Sequence, residues 1–183
     1  MTAQAIHVPP AAERITVLQG QALVSASPRE EFTTVLGSCV ATCLFDPEAR
    51  VGGMNHFLLA EPPASATGFG VDEHYGVFLM ELLINQMLAQ GAIKSRLRAH
   101  LYGGANMRQG MAPIGSRNAE FARRFLERER IVLIRDDLGG NNARRVDFRP
   151  VEGRVRCRSV APAMAPAIRP ARRPLTGGEV ELF

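Results

Sequence analysis

"VLGSCVATCLFDPEARVGGMNHFLLA", residues 35 to 60, holds two apolar, β-branched runs, CVATCLF and VGGMNHFLL, on either side of DPEAR. Asp-Pro opens a turn and strongly apolar segments of this length read as strands, so the stretch predicts a β-hairpin. Strands joined this tightly must run antiparallel, which excludes a purely parallel sheet. Working outward, ITVLQ, ALVSA and FTTVL predict three short strands upstream. Downstream, LRAHLY and IVLIRD predict two more, and RRVDF with VRCRSV a closing hairpin. Two helices complete the reading. Residues 73 to 90 place Tyr75, Leu79, Leu82, Leu83 and Met87 at helical spacing, and Gly91 is positioned to end that helix. Residues 119 to 129 carry Phe121, Phe125 and Leu126 on one side and arginines on the other, with Asn118 as the expected N-cap. The fold class is α/β: a layered sandwich of mixed β-sheets with hairpins and two main helices.

At 183 residues the chain suits one domain, large enough to bury a core without metals or disulfides. We expect a flexible N-terminus over 1–13, a folded domain over 14–160, and a disordered Pro/Arg-rich tail over 161–183. In that tail Pro162, Pro166, Pro170 and Pro174 remove backbone donors. Three cysteines cannot all pair, and the N-terminus lacks the charged and apolar segments of a signal peptide, so a reducing cytoplasm is expected. The longest apolar run, 77 to 84, contains Glu81 and is too short to span a bilayer.

A formal net charge of +4 raises the question of nucleic acid. From residue 149 onward seven arginines face Glu152, Glu179 and Glu181, which accounts for the whole +4 and leaves the body balanced. The chain has no Trp and two Tyr for base stacking, so neither nucleic-acid binding nor membrane insertion is expected.

The chemistry concentrates in the quoted stretch. Taken alone, Cys39 is an ordinary core cysteine and His56 an ordinary strand histidine. Together they mean more. Gly37 and Ser38 suggest a tight turn before the strand, placing Cys39 at a loop-to-strand junction whose free backbone N–H groups could bind an oxyanion. The hairpin then returns the second strand with the partner of Cys39 one or two residues from His56, within reach of a thiol–imidazole pair. A nucleophilic cysteine needs such a base, and the base needs an orienting group. Asn55 should face away from His56, leaving Thr33 or Thr34. Cys43 and Cys157 have no metal or dithiol spacing, so neither a metal nor a cofactor is expected. The glycine pairs at 103–104 and 139–140 match no phosphate-loop pattern and read as turns with positive φ. The methionines of the first helix read as core.

GSCV at 37–40, Asp46-Pro47, GGMNHFLL at 52–59, HYG at 74–76, YGGANM at 102–107, IGSRN at 114–118 and DLGGNNARRV at 137–146 together resemble the CheD-type chemoreceptor glutamine deamidases of chemotaxis. The resemblance runs over roughly residues 15 to 158. It implies a fold similar to the catalytic domain of cytotoxic necrotizing toxins and a Cys-His-Thr triad with the threonine six positions before the cysteine and the histidine seventeen after. Those positions are Thr33, Cys39 and His56, with Gly37 and Ser38 as the oxyanion turn. The implied activity is that of a protein-glutamine glutaminase acting on the cytoplasmic domain of a chemoreceptor, with a CheC-type phosphatase as a further partner. A binding module for such a phosphatase or for the receptor, and a cysteine-dependent transglutaminase or esterase, are the alternatives. The basic residue that many relatives carry before the tyrosine is replaced here by His74, and the Pro/Arg tail extends beyond the family core.

Overall fold

The computed structural model describes residues 12–59, 71–107 and 113–160, with side chains of the first helix described from Tyr75 onward. The tail expected over 161–183 and residues 1–11 of the N-terminal segment lie outside those residues, while Glu13, expected in the flexible segment, opens the first strand. The described strands are β1 (Glu13–Thr16), β2 (Gln21–Ser25), β3 (Glu30–Leu36), β4 (Val40–Asp46), β5 (Val51–Phe57), β6 (Arg98–Gly103), β7 (Val132–Leu138), β8 (Ala143–Arg149) and β9 (Arg154–Val160). Helix α1 spans Val71–Ala89 and α2 spans Ile114–Arg128.

These strands form two sheets, ordered β1-β3-β8-β9 and β2-β5-β4-β6-β7. Both are mixed: β1 pairs with β3, and β6 with β7, in parallel, while the other pairings are antiparallel. The hairpin expected from DPEAR is β4–β5, closing at Asp46↔Val51. Its turn is fixed by Asp46, whose carboxylate accepts the N–H groups of Glu48 and Ala49 at 3.0 and 3.1 Å. The same carboxylate receives Ile93 N–H and Arg96 Nε at 2.9 and 3.0 Å, so one buried side chain ties the turn to the segment entering β6.

The molecule has three layers. Phe32, Leu36, Val146 and Phe148 from the four-stranded sheet meet Ala41, Cys43, Met54 and Tyr102 from the five-stranded one. On the other face of the five-stranded sheet, Val40, Leu44 and Phe57 pack with Leu79, Leu83 and Met87 of α1 and Phe121, Phe125 and Leu126 of α2. Strand β5 is therefore buried along its whole length and β4 along nearly all of it, which explains their continuous apolar reading. Each fully buried Phe or Leu contributes roughly 1.5–3 kcal/mol of transfer free energy. The core reading of the first helix holds for Met80 and Met87, both buried. Among the described residues no helix is long and apolar enough to cross a membrane.

The candidate active site

Strand β3 belongs to one sheet and β4 to the other, so Gly37-Ser38-Cys39 is the crossover between them. Each of its three carbonyls has a donor: Gly37 O accepts Ala105 N–H at 2.9 Å, Ser38 O accepts Asn118 Nδ2 at 2.7 Å, and Cys39 O accepts Gly104 N–H at 2.8 Å. The positive φ values needed here belong to Gly103 (107°) and Gly104 (66°), and Gly139 and Gly140 are also positive, as expected for both pairs. Gly37 is not among them, so the turn expected of Gly37-Ser38 is set from outside by the Gly103–Ala105 segment. A Cβ on Gly103 would lie 2.2 Å from the Cys39 carbonyl oxygen, so only glycine permits this approach.

Ala41 pairs with His56 across the β4–β5 ladder, and Val40 with Phe57. Cys39, two residues before Ala41, is thus the diagonal neighbour of His56 on the same face, the side facing the four-stranded sheet. The register agrees with the sequence expectation of an offset of one or two. Asn55 does face away, its Nδ2 donating to Leu79 O at 3.3 Å and its Oδ1 accepting Thr42 N–H at 2.9 Å.

The hydroxyl that meets the imidazole is that of Thr34, whereas that of Thr33 meets Asp147. Thr34 Oγ1 lies 2.9 Å from His56 Nδ1 and 2.8 Å from Val17 O. A carbonyl only accepts, so the single hydroxyl proton goes to Val17 and the same oxygen must accept from His56. Val17 O also lies 3.4 Å from Nδ1. Two acceptors facing Nδ1 fix its proton there and leave Nε2 as the bare, basic nitrogen. Nε2 is buried and has no hydrogen-bond partner among the described residues. Burial lowers the His56 pKa from its ordinary value, opposed by the Val17 carbonyl, so the imidazole is neutral at pH 7.

Thr33 points to the outer face of β3, where its hydroxyl donates to Asp147 Oδ1 at 2.8 Å. Alternation along the strand makes the choice: Phe32, Thr34 and Leu36 face the core and Thr33 faces Asp147. Asp147, buried, also receives Arg156 and Arg158 at 3.1 and 3.0 Å. Burial alone would raise its pKa, but Thr33, Arg156 and Arg14 outweigh that and hold it below the usual carboxylate range.

The Cys39 thiol is half-buried, and desolvation pushes its pKa up to about 11 against the hydrogen bond from its own backbone N–H. It is therefore a thiol at rest, needing a base during reaction rather than existing as a preformed thiolate. Burial raises Cys43 further, and Cys157 to about 11 beside Asp137. Among the described residues no group of His, Cys, Asp or Glu is arranged to hold a metal ion.

Two residues were missed or misassigned by sequence reasoning. Asn118 does not cap α2, which starts at Ile114 with Pro113 at the N-cap position. It is a buried latch: besides reaching Ser38 O, its Oδ1 accepts Leu59 N–H at 2.9 Å, joining the nucleophile crossover to the end of the β5 segment. Gln19, in the turn between β1 and β2, places Oε1 3.6 Å from Cys39 Sγ. Nothing in VLQGQ signals that contact, because it spans twenty residues and depends on how β2 pairs with β5.

Residues 58–159 match the family model described as CheD chemotactic sensory transduction. The chain belongs to the CheD family. A protein of Zymomonas mobilis named probable chemoreceptor glutamine deamidase CheD is 58% identical over 148 residues, covering 81% of each chain. One of the same name from Acidiphilium cryptum is 46% identical over 190 residues and covers both chains completely. Among solved structures, the Bacillus licheniformis hypothetical protein YfiH superposes with a TM-score of 0.44 at 12% identity, covering 63% of this CheD chain and 49% of that one.

Proposed function

We propose that this CheD protein deamidates glutamine side chains of chemoreceptors, with Cys39 as nucleophile, His56 as general base and acid, and Thr34 as the residue that orients the imidazole. The observation that carries the mechanism is His56: Nδ1 faces two acceptors while Nε2 is bare on the face it shares with Cys39. The names of its relatives support the substrate class, a chemoreceptor glutamine. The activity is that of a protein-glutamine glutaminase in chemotaxis.

As Sγ attacks the substrate carboxamide carbon, the thiol proton passes to His56 Nε2. The tetrahedral oxyanion forms beside the Gly37-Ser38-Cys39 crossover, whose carbonyls already have partners, with the Ser38 and Cys39 N–H groups as its donors. Collapse transfers the Nε2 proton to the departing nitrogen, releasing ammonia and leaving a thioester. Water gives its proton to Nε2, adds to the thioester carbon, and glutamate departs as Sγ recovers a proton from the imidazolium. The Thr34 acceptor stabilises the cation in both halves.

The test is mass spectrometry of a receptor cytoplasmic fragment incubated with the protein. Amide-to-acid conversion at defined glutamines is expected, lost in Cys39→Ala and retained in Cys157→Ala. Conversion that persists without Cys39 would overturn the mechanism. Receptor binding by Cys39→Ala without conversion by the parent would favour a binding module.

A further inference from the structure

Nucleophile and base share a face, yet the hydrogen bonding at rest does not join them. The Cys39 thiol donates to Gln19 Oε1 at 3.6 Å, while His56 Nε2 has no partner. The turn carrying Gln19 is firmly placed. Gly20 N–H donates to His56 O at 2.8 Å, Gln21 N–H to Leu18 O at 3.0 Å, and Leu18 N–H to Gln21 Oε1 at 2.9 Å. The backbone of residue 19 is thereby anchored to the strand that carries the base, while Gln19 itself is exposed and its side chain is free to turn away. Its functional group is a primary carboxamide, the group that the proposed reaction consumes.

We propose that Gln19 is a resting-state latch on the nucleophile: its carboxamide directs the Cys39 thiol proton away from His56, and an incoming substrate glutamine displaces it. The inference rests on the functional reading above and names the event that arms the site. A thiol is a weak donor, so the Gln19 contact is readily exchanged for a substrate carboxamide. Once Gln19 swings out, the thiol hydrogen has the bare Nε2 as its acceptor, and proton transfer accompanies attack. Nothing is oxidised or consumed by the exchange. Without substrate the thiol stays protonated and covered, in keeping with its raised pKa.

Gln19→Ala removes the latch, and Gln19→Leu removes the acceptor while keeping bulk. Alkylation of Cys39 by iodoacetamide at pH 7, followed by peptide mass spectrometry, should be about three- to tenfold faster in both than in the parent. The gain should vanish when His56→Ala is added, since it depends on the imidazole taking the proton. On a receptor fragment, kcat/KM should rise as the internal competitor is lost. Unchanged alkylation in both variants overturns the latch. A gain that survives His56→Ala makes Gln19 a steric cover and also overturns it. A fall in kcat/KM with unchanged alkylation makes Gln19 a substrate-binding residue instead. Turnover by the parent is followed alongside: its failure would sink the deamidase reading, while alkylation still decides the latch.

Discussion

Thr33 and Thr34 are adjacent and both buried, and their hydroxyls meet different partners on opposite faces of β3. Thr34→Val removes the acceptor for His56 Nδ1–H and leaves only the longer contact to Val17 O. A lost hydrogen bond of about 1–3 kcal/mol, realised in the transition state, corresponds to roughly a ten- to hundredfold fall in kcat. Thr33→Val instead removes one donor from Asp147, so it should lower stability by about 1–3 kcal/mol in denaturant unfolding with turnover near that of the parent. The opposite result would return the orienting role to Thr33. Spacing from Cys39 could not separate the two, because FTTVL alternates between faces that are both buried. The partner that Thr33 meets on the outer face is Asp147, more than a hundred residues away in sequence. The pH profile is set by the same environment. His56 acts as a base only when neutral, and its folded pKa is depressed, so the acid limb of kcat/KM should fall below about 6.5, the ordinary histidine value. The thiol need not ionise beforehand, so no second rise is expected between about pH 7 and 9.

At the level of elements, the crossover is positioned by parts that never touch substrate. Asn118→Ala leaves Ser38 O and Leu59 N–H without their partners in a buried setting, at a cost of about 2–5 kcal/mol, and frees the peptide next to Cys39. Asn118→Asp keeps the acceptor for Leu59 but sets a carboxylate oxygen against the Ser38 carbonyl. Both should lose activity, and Asp should lose more activity per unit of stability, measured by comparing turnover with urea midpoints. The hairpin, the strand sequence and both helices were readable from turn chemistry and periodicity. The start of α2 was not, because Ile114-Gly115-Ser116 has the composition of a loop and Asn118 that of a cap. The helix begins earlier because Asn106 meets Ser116 through both its backbone N–H and its hydroxyl, and the Gly104 segment packs against that first turn.

Across the whole molecule, His56 belongs to the five-stranded sheet, Cys39 leads into it directly before β4, and Thr34 belongs to the four-stranded one. The core between the sheets therefore sets the distance from base to orienter, while the core under the helices does not. That division was beyond the sequence, which shows apolar strands without saying which sheet each joins. It leads to a comparison of two truncations. Val146 is fully buried and pairs with Thr34 across β3–β8, so Val146→Ala opens space beside the orienter. Leu83, equally buried, packs between α1 and β5, and Leu83→Ala should cost about 2–5 kcal/mol, at least as much as Val146→Ala. Activity should rank the other way. At a temperature well below both midpoints, Val146→Ala should show the larger fall in kcat, and its acid limb should move as the imidazole loses its fixed tautomer. Leu83→Ala should keep the parent pH profile despite its lower melting temperature. If kcat instead tracks stability alone in the two variants, the sheet interface holds the chain together without tuning the catalytic pair.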